Sequence, residues 1–170
     1  MPQKGARKGL RQSATPKAGR PHMPGYGVPR GKKGLLPWAW ARRRLTQSHN
    51  YWLITVRPNG RPHAMPIWGL WVEPTFYFST GRASRKARNL ARNARCVVCT
   101  ERAHEAVVVE GVARELKDEK QLVRLAEPYH AKYRPWTLDL ELGPVYAVRP
   151  RVAFGMHEKR FVNAATRWRF

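Results

Sequence analysis

A mainly β domain, folded as a small antiparallel barrel of six strands with at least two short helices over its openings, is the fold class this sequence predicts. Three observations predict it. Six short runs are rich in β-branched and aromatic residues. Turn signals, Pro58-Asn59-Gly60 and Glu73-Pro74, separate the first of these runs. Only two long windows carry apolar residues at helical spacing.

The elements follow in chain order. Ordered structure is expected from Leu36, where Leu35-Leu36-Pro37-Trp38-Ala39-Trp40 leads into a short helix through Ala41-Arg42-Arg43-Arg44-Leu45. Trp38 and Trp40 read as packing anchors, because large aromatics mostly serve burial. Tyr51 to Arg57 is a first strand, and the Asn-Gly pair turns it into a partner running from Arg61 to Trp71. Thr75 to Thr80 is a third strand, so the chain opens as an antiparallel meander. Ser84 is an N-cap for a helix to Asn93, with Ala87, Leu90, Ala91 and Ala94 as its apolar stripe. Cys96–Thr100 and Ala106–Ala113 are the fourth and fifth strands. A second helix spans Asp118 to Tyr133, and Val145–Phe154 is a sixth strand, broken at Pro150.

Composition sets the outer limits. The 170 residues suffice for one domain, and 42% hydrophobic content with seven Trp provides a core. No apolar run reaches the roughly 20 residues of a membrane helix. The basic start lacks the apolar stretch of a secretory signal. Cys96 and Cys99 form no disulfide framework, and a reducing, cytoplasmic setting is expected. Net charge is +22, and no acid precedes Glu73. Such a balance favours a polyanionic partner. Residues 1–36, rich in Lys, Arg, Gly and Pro, read as a disordered basic arm ahead of a domain at 37–170. Nucleic-acid binding through that arm is a rival reading, and translation starting at Met23 is another view of the same stretch.

The informative segment is Ser79-Thr80-Gly81-Arg82-Ala83-Ser84-Arg85-Lys86. A helix start carries partial positive charge and favours acids in its first turn. Here Arg85 and Lys86 stand there instead, and Pro74 to Thr100 contains no acid. A phosphate would resolve the conflict, held by backbone N–H groups, hydroxyls and cationic side chains. A solvated basic turn is the other reading, and the residues alone leave both open.

The stretch Tyr51 to Asn89, with Arg57-Pro58-Asn59-Gly60-Arg61-Pro62-His63, Met65-Pro66-Ile67-Trp68, Phe76-Tyr77-Phe78-Ser79-Thr80 and Ser84-Arg85-Lys86-Ala87-Arg88-Asn89, resembles the pyridoxamine phosphate oxidase-like split-barrel family. It is most similar to the flavin/deazaflavin-dependent oxidoreductase branch, as are Val148–Phe154 and the ending Ala165-Thr166-Arg167-Trp168-Arg169-Phe170. The resemblance implies an FMN-binding type of split β-barrel, a homodimer with cofactor in grooves between subunits, and a small-molecule substrate. It implies a cofactor-phosphate site at Ser79, Thr80, Ser84, Arg85 and Lys86. It sets His63, Ala64, Met65, Pro66, Ile67 and Trp68 beside the ring, with Trp168 and Arg169 reaching the site across the dimer. The cofactor it implies is the deazaflavin coenzyme F420 or FMN. F420 is preferred, because its acidic polyglutamate tail suits a basic groove and because Ile occurs only twice in an Arg- and Ala-rich chain. The chain ends without the Arg-Leu-His-type motif of vitamin B6 oxidation.

Other residues are less telling. His63 shares a strand face with Met65, Ile67 and Trp71, either as a proton-transfer group or as a strand-end histidine bonded to backbone. The other histidines lack metal spacing, and no metal is expected. Cys96 and Cys99, three apart in a strand, point to opposite faces and read as packing thiols. Tyr129, Lys132 and Tyr133 read as a helix end that could line a pocket. A barrel that carries haem, a tetrapyrrole or a cofactor without turnover is the alternative to an enzyme.

Overall fold

The computed structural model describes residues 15–170. Its elements are β1 (Lys17–Gly19), α1 (Trp38–Gln47), β2 (Tyr51–Val56), β3 (Pro62–Ile67), β4 (Leu70–Val72), β5 (Thr75–Ser79), α2 (Arg85–Arg92), β6 (Arg95–Thr100), β7 (Glu105–Glu115), α3 (Glu119–Tyr133), β8 (Val145–His157), α4 (Phe161–Ala164) and β9 (Thr166–Arg169). All strand pairs are antiparallel.

The barrel runs β3-β2-β6-β7-β8-β5-β4, and Trp68-Gly69 joins β4 back to β3. These are the six expected strands, the second of them divided in two. The division has a steric cause at Gly69. A Cβ there would lie 2.2 Å from Phe76 Cζ and 2.8 Å from the Tyr77 carbonyl, so the backbone passes too close to β5 for any side chain. The β2–β3 hairpin forms as Asn59-Gly60 predicts, with Gly60 at φ 81°.

Pro150 does not break the sixth strand. β8 runs through it, paired to β7 along its length, and a register shift between Glu110 and Gly111 accommodates it. On its other edge β8 serves two partners in turn, β5 over Val145–Val148 and β9 over Val152–Gly155.

Inward residues of these strands form one core with Trp38, Leu45 and Trp168, in which Tyr51, Leu53, Val98 and Val109 are fully buried. A smaller cluster of Leu70, Leu125, Tyr133 and Val145 lies under α3.

The expected disordered arm of residues 1–36 is corrected over its described part. Residues 1–14 lie outside the described residues, but β1 pairs with β9 through Lys17↔Arg169, Ala18↔Trp168 and Gly19↔Arg167. Arg20 then donates to four backbone carbonyls, those of Gly31, Lys33, Asn163 and Ala165, at 2.6–3.0 Å. Leu36 N–H adds a bond to Thr166 Oγ1 at 2.8 Å. A planar guanidinium with five donors can gather carbonyls from two distant segments, so this stretch is ordered without a hydrophobic pattern of its own.

Candidate functional site

β5 delivers Ser79 and Thr80 to the start of α2. Gly81 then turns the chain, with Ser84 N–H donating to its carbonyl at 2.9 Å. Ser84 caps α2 as the sequence predicts: its Oγ accepts from Ala87 N–H at 3.2 Å. The same oxygen lies 3.1 Å from Thr80 Oγ1, so two hydroxyls stand side by side over the helix start. Arg85 and Lys86 occupy the first turn with no acid among them.

Lys86 is half-buried, and burial lowers its pKa from the usual lysine range. Neither Lys86 nor Arg85 has an ion-pair partner among the described residues. Placing a desolvated ammonium beside the positive end of a helix is unfavourable unless an anion joins it.

The β2–β3 hairpin lies against this helix start. Asn89 of α2 is fully buried and donates from Nδ2 to Thr55 Oγ1 of β2 at 2.9 Å. Thr55 is registered opposite His63 of β3. The His63 imidazole is held below its usual pKa, by burial first and then by the cations Arg57, Lys86 and Arg85. His63 Nδ1, Arg57 Nε and Asn89 Oδ1 are buried without hydrogen-bond partners. Arg57 Nε, and His63 Nδ1 in the tautomer protonated there, are donors left for an anionic ligand beside two unpaired cations, while Asn89 Oδ1 is an acceptor and fits an anion only if the carboxamide turns to present its NH2.

The expected site residues divide by position. Thr80, Ser84, Arg85 and Lys86 gather at the first turn of α2, whereas Ser79 lies at a small cavity under α3 with Leu125, Tyr129 and Leu138. His63 and Met65 lie on the barrel side of β3, opposite Thr55 and Leu53. Ala64 and Pro66 alternate to the outer face, and Ile67 is in the core. Trp68 leaves the strand and stacks on Tyr133, ring centroids 4.8 Å apart and planes at 12°. Trp168 is corrected as a site residue: it is fully buried, packed edge-on against Trp38 at 5.4 Å and directly over Gly155. Its neighbour Arg169 is exposed at the β1 pairing, on the part of β8 away from β5.

Sequence reasoning missed Arg57 and Asn89. Arg57 is one more cation in a basic chain, and only the hairpin fold brings it near α2. Asn89 is a polar residue beside the apolar stripe, a signal that a buried amide awaits a specific partner.

A second network pins the β3–β4 link. Lys132 Nζ donates to Tyr51 Oη at 2.8 Å and to the Gly69 carbonyl at 2.9 Å. Tyr133 Oη accepts from Gly69 N–H at 2.8 Å, within reach of the Gly69 and His49 carbonyls. Tyr51 in turn donates to the Leu45 carbonyl. Burial lowers the Lys132 pKa to about 8, partly offset by Glu101.

Cys96 faces the core and Cys99 the outer face, as their spacing predicts, and burial pushes the Cys96 thiol up to about 12. Among the described residues no three His, Cys, Asp or Glu side chains group as metal ligands. No helix among them is long and apolar enough to cross a membrane.

The chain matches the family described as pyridoxamine 5'-phosphate oxidase over residues 39–160. Among solved structures it is similar to a protein titled F420 reductase, at 22% identity over 66% of this chain and 94% of that one, with a TM-score of 0.55. A conserved hypothetical protein from Mycobacterium tuberculosis aligns at 21% identity over 78% and 92%, with a TM-score of 0.63. An FAD-binding protein from Mesorhizobium loti aligns at 17% identity over 79% and 96%, with a TM-score of 0.54. No curated protein matches. At these identities the structures speak for the fold, and the match over residues 39–160 speaks for descent: the chain belongs to the pyridoxamine phosphate oxidase-like split-barrel family.

Proposed function

We propose that this protein is a flavin-type oxidoreductase that transfers hydride between the deazaflavin F420, or else FMN, and a small organic substrate. The observation that carries the reading is the α2 start, where two hydroxyls 3.1 Å apart stand beside an unpaired, half-buried lysine. Thr80, Ser84, Arg85 and Lys86 hold the cofactor phosphate. His63 and Met65 on the barrel side of β3 flank the ring and limit water. With its pKa lowered, His63 stays neutral at pH 7 and offers Nδ1 for a hydrogen bond without adding a charge. When bound, the flavin or deazaflavin ring supplies the hydride chemistry. The names of two similar structures, an F420 reductase and an FAD-binding protein, support this class of cofactor.

The active form in this reading is a homodimer. The outer face of the sheet carries the registered row Pro66, Trp52, Cys99, Val108 and Phe154 across five strands. Trp52 in that row is 46% exposed, more apolar surface than a lone subunit gains from presenting to water. A second copy of the same chain covers such a face in a self-complementary way. Light scattering is expected to give twice the chain mass.

The decisive measurement is a titration with F420 and, separately, with FMN, followed by fluorescence and the visible spectrum. Selective binding of F420 is the expected result, and selective FMN binding would move the protein to the oxidase side of the family. Binding of neither sinks the reading.

A further inference from the structure

The cradle at the start of α2 accounts for only part of that helix's charge. Arg85, Arg88 and Arg92 are spaced by three and four residues, so they line one side of the helix over two turns, roughly 10 Å. With Pro58 and Asn89 they border a groove of about 360 Å³ between α2 and the tip of the β2–β3 hairpin. On the other side of the Arg88–Arg92 ridge, Arg82, Arg114 and Lys117 border a second groove of about 610 Å³, floored by Ala87, Leu90 and Tyr146. Six cations thus border the two grooves. The single carboxylate in the grooves, Glu115, is already bonded to Arg82 at 3.0 Å.

Like charges three and four apart on a helix repel, so this arrangement opposes the stability of α2. Arg88 and Arg92 have no hydrogen-bonded side-chain partner among the described residues. The Asn89 carboxamide, fully buried at the wall of the first groove, uses one end on Thr55 Oγ1 and leaves the other without a partner. Because the threonine hydroxyl both donates and accepts, the carboxamide can turn and present its NH2 to an anion. The cations facing the ridge are arginines but for Lys117, and the guanidinium fork suits phosphate oxygens.

We propose that the Arg88–Arg92 ridge and its two flanking grooves form a second binding surface, one that takes a linear chain of phosphates. It adjoins the cradle at Ser84 and Lys86, sharing Arg85 and the Asn89 carboxamide with it, and does not depend on which cofactor the cradle holds. The chain is either free polyphosphate or the backbone of a nucleic-acid strand; both present successive phosphates along one line.

The test uses the full chain, a fluorescently labelled polyphosphate and a labelled oligonucleotide of random sequence, titrated by anisotropy at several salt concentrations. Orthophosphate serves as the single-anion control. At least one chain probe is expected to bind far more tightly than orthophosphate, and the Arg88→Ala/Arg92→Ala variant is expected to lower the salt slope by about one per arginine. The control variant Arg42→Ala/Arg43→Ala removes the same charge from exposed positions on α1 and is expected to leave the slope unchanged. Lys86→Ala is expected to retain chain binding. Binding of only one probe identifies the source of the phosphates. Equal losses in the α1 and α2 variants would show diffuse attraction to a basic protein and overturn the proposal. Loss only with Lys86→Ala, or binding of neither probe, would overturn it as well.

Discussion

Around β1 and α1, Arg20, Arg42 and Arg44 hold acceptors, whereas along α2 the cations hold none among the described residues. Arg20 gathers four carbonyls. Arg44 donates to Glu105 at 2.5 Å and to the Trp40 carbonyl at 3.1 Å, and its guanidinium lies 3.7 Å from the Trp40 ring centroid. Arg85, Lys86, Arg88 and Arg92 have no counterpart to these contacts among the described residues. The same residue types therefore do opposite things. Cations with internal acceptors hold segments together, and cations without them weaken the fold locally while leaving a place for an anion. High net charge alone does not separate the two; partner geometry does.

Removing β1 and Arg20 together is the strongest test of the first region. A chain begun at Met23 is expected to lose more stability, by urea midpoint, than any single substitution below. An unchanged midpoint would break the comparison. Arg44→Ala is expected next, at about 1.5–3 kcal/mol, the range for bonds to charged groups. Its cofactor affinity should stay as in the parent, because Arg44 serves β7 and not α2.

Lys86→Ala sharpens the contrast from the other side. The urea midpoint should hold or rise, since a desolvated ammonium is removed, while cofactor affinity falls by about 1.5–3 kcal/mol. A loss of stability with no loss of affinity would return Lys86 to the first class.

Lys132 lies between the classes: its ammonium has acceptors but no carboxylate within bonding distance. Its pKa is about 8 in the folded chain, below the ordinary lysine value of 10.5. Between those values the unfolded chain binds the extra proton, so stability contributed by this group rises as pH rises through that window and is lost below about pH 8. The difference between the parent and Lys132→Met should therefore change from pH 8 toward 10.5, and a difference independent of pH would contradict the assignment. The buried hydroxyl of Tyr51, its pKa raised above the ordinary value of 10.0, acts in the opposite sense only above that pH, so the window from pH 8 to 10 reports Lys132. Smallest of all, Arg42→Ala removes an exposed pair to Glu73 at 3.4 Å and should change stability by less than about 0.5 kcal/mol.

Much of the barrel is legible in the sequence because its signals are local. Asn59-Gly60 dictates a hairpin by backbone conformation, Ser84 dictates a helix start by one hydrogen bond, and alternating runs give each strand its inner face. The phosphate cradle is legible for the same reason, since Thr80 to Lys86 is one continuous stretch. What escapes is non-local. Lys17-Ala18-Gly19 has no strand preference and becomes a strand only against β9. Trp168 is drawn into the core through that pairing and through the space above Gly155, and nothing in its immediate neighbours distinguishes it from a ligand contact. Asn89 and Arg57 join the site through the contact of α2 with β2. Pro150 is tolerated inside β8 because an extra residue, Arg151, sits beside it, so that Pro150 and Val152 face the consecutive Gly111 and Glu110, a register set only when β7 and β8 meet.

The pairing of β1 with β9 also orders events in time. β1 is the first described strand to leave the ribosome, and its only partner among the described residues, β9, is the last described strand made. Every other barrel strand can find a neighbour while synthesis continues, since hairpins such as β2–β3 and β6–β7 close over short loops. The N-terminal stretch instead waits until β9 has been made. Docking of that stretch is accordingly a late step, and it serves as a seal set only after the strands between them have folded.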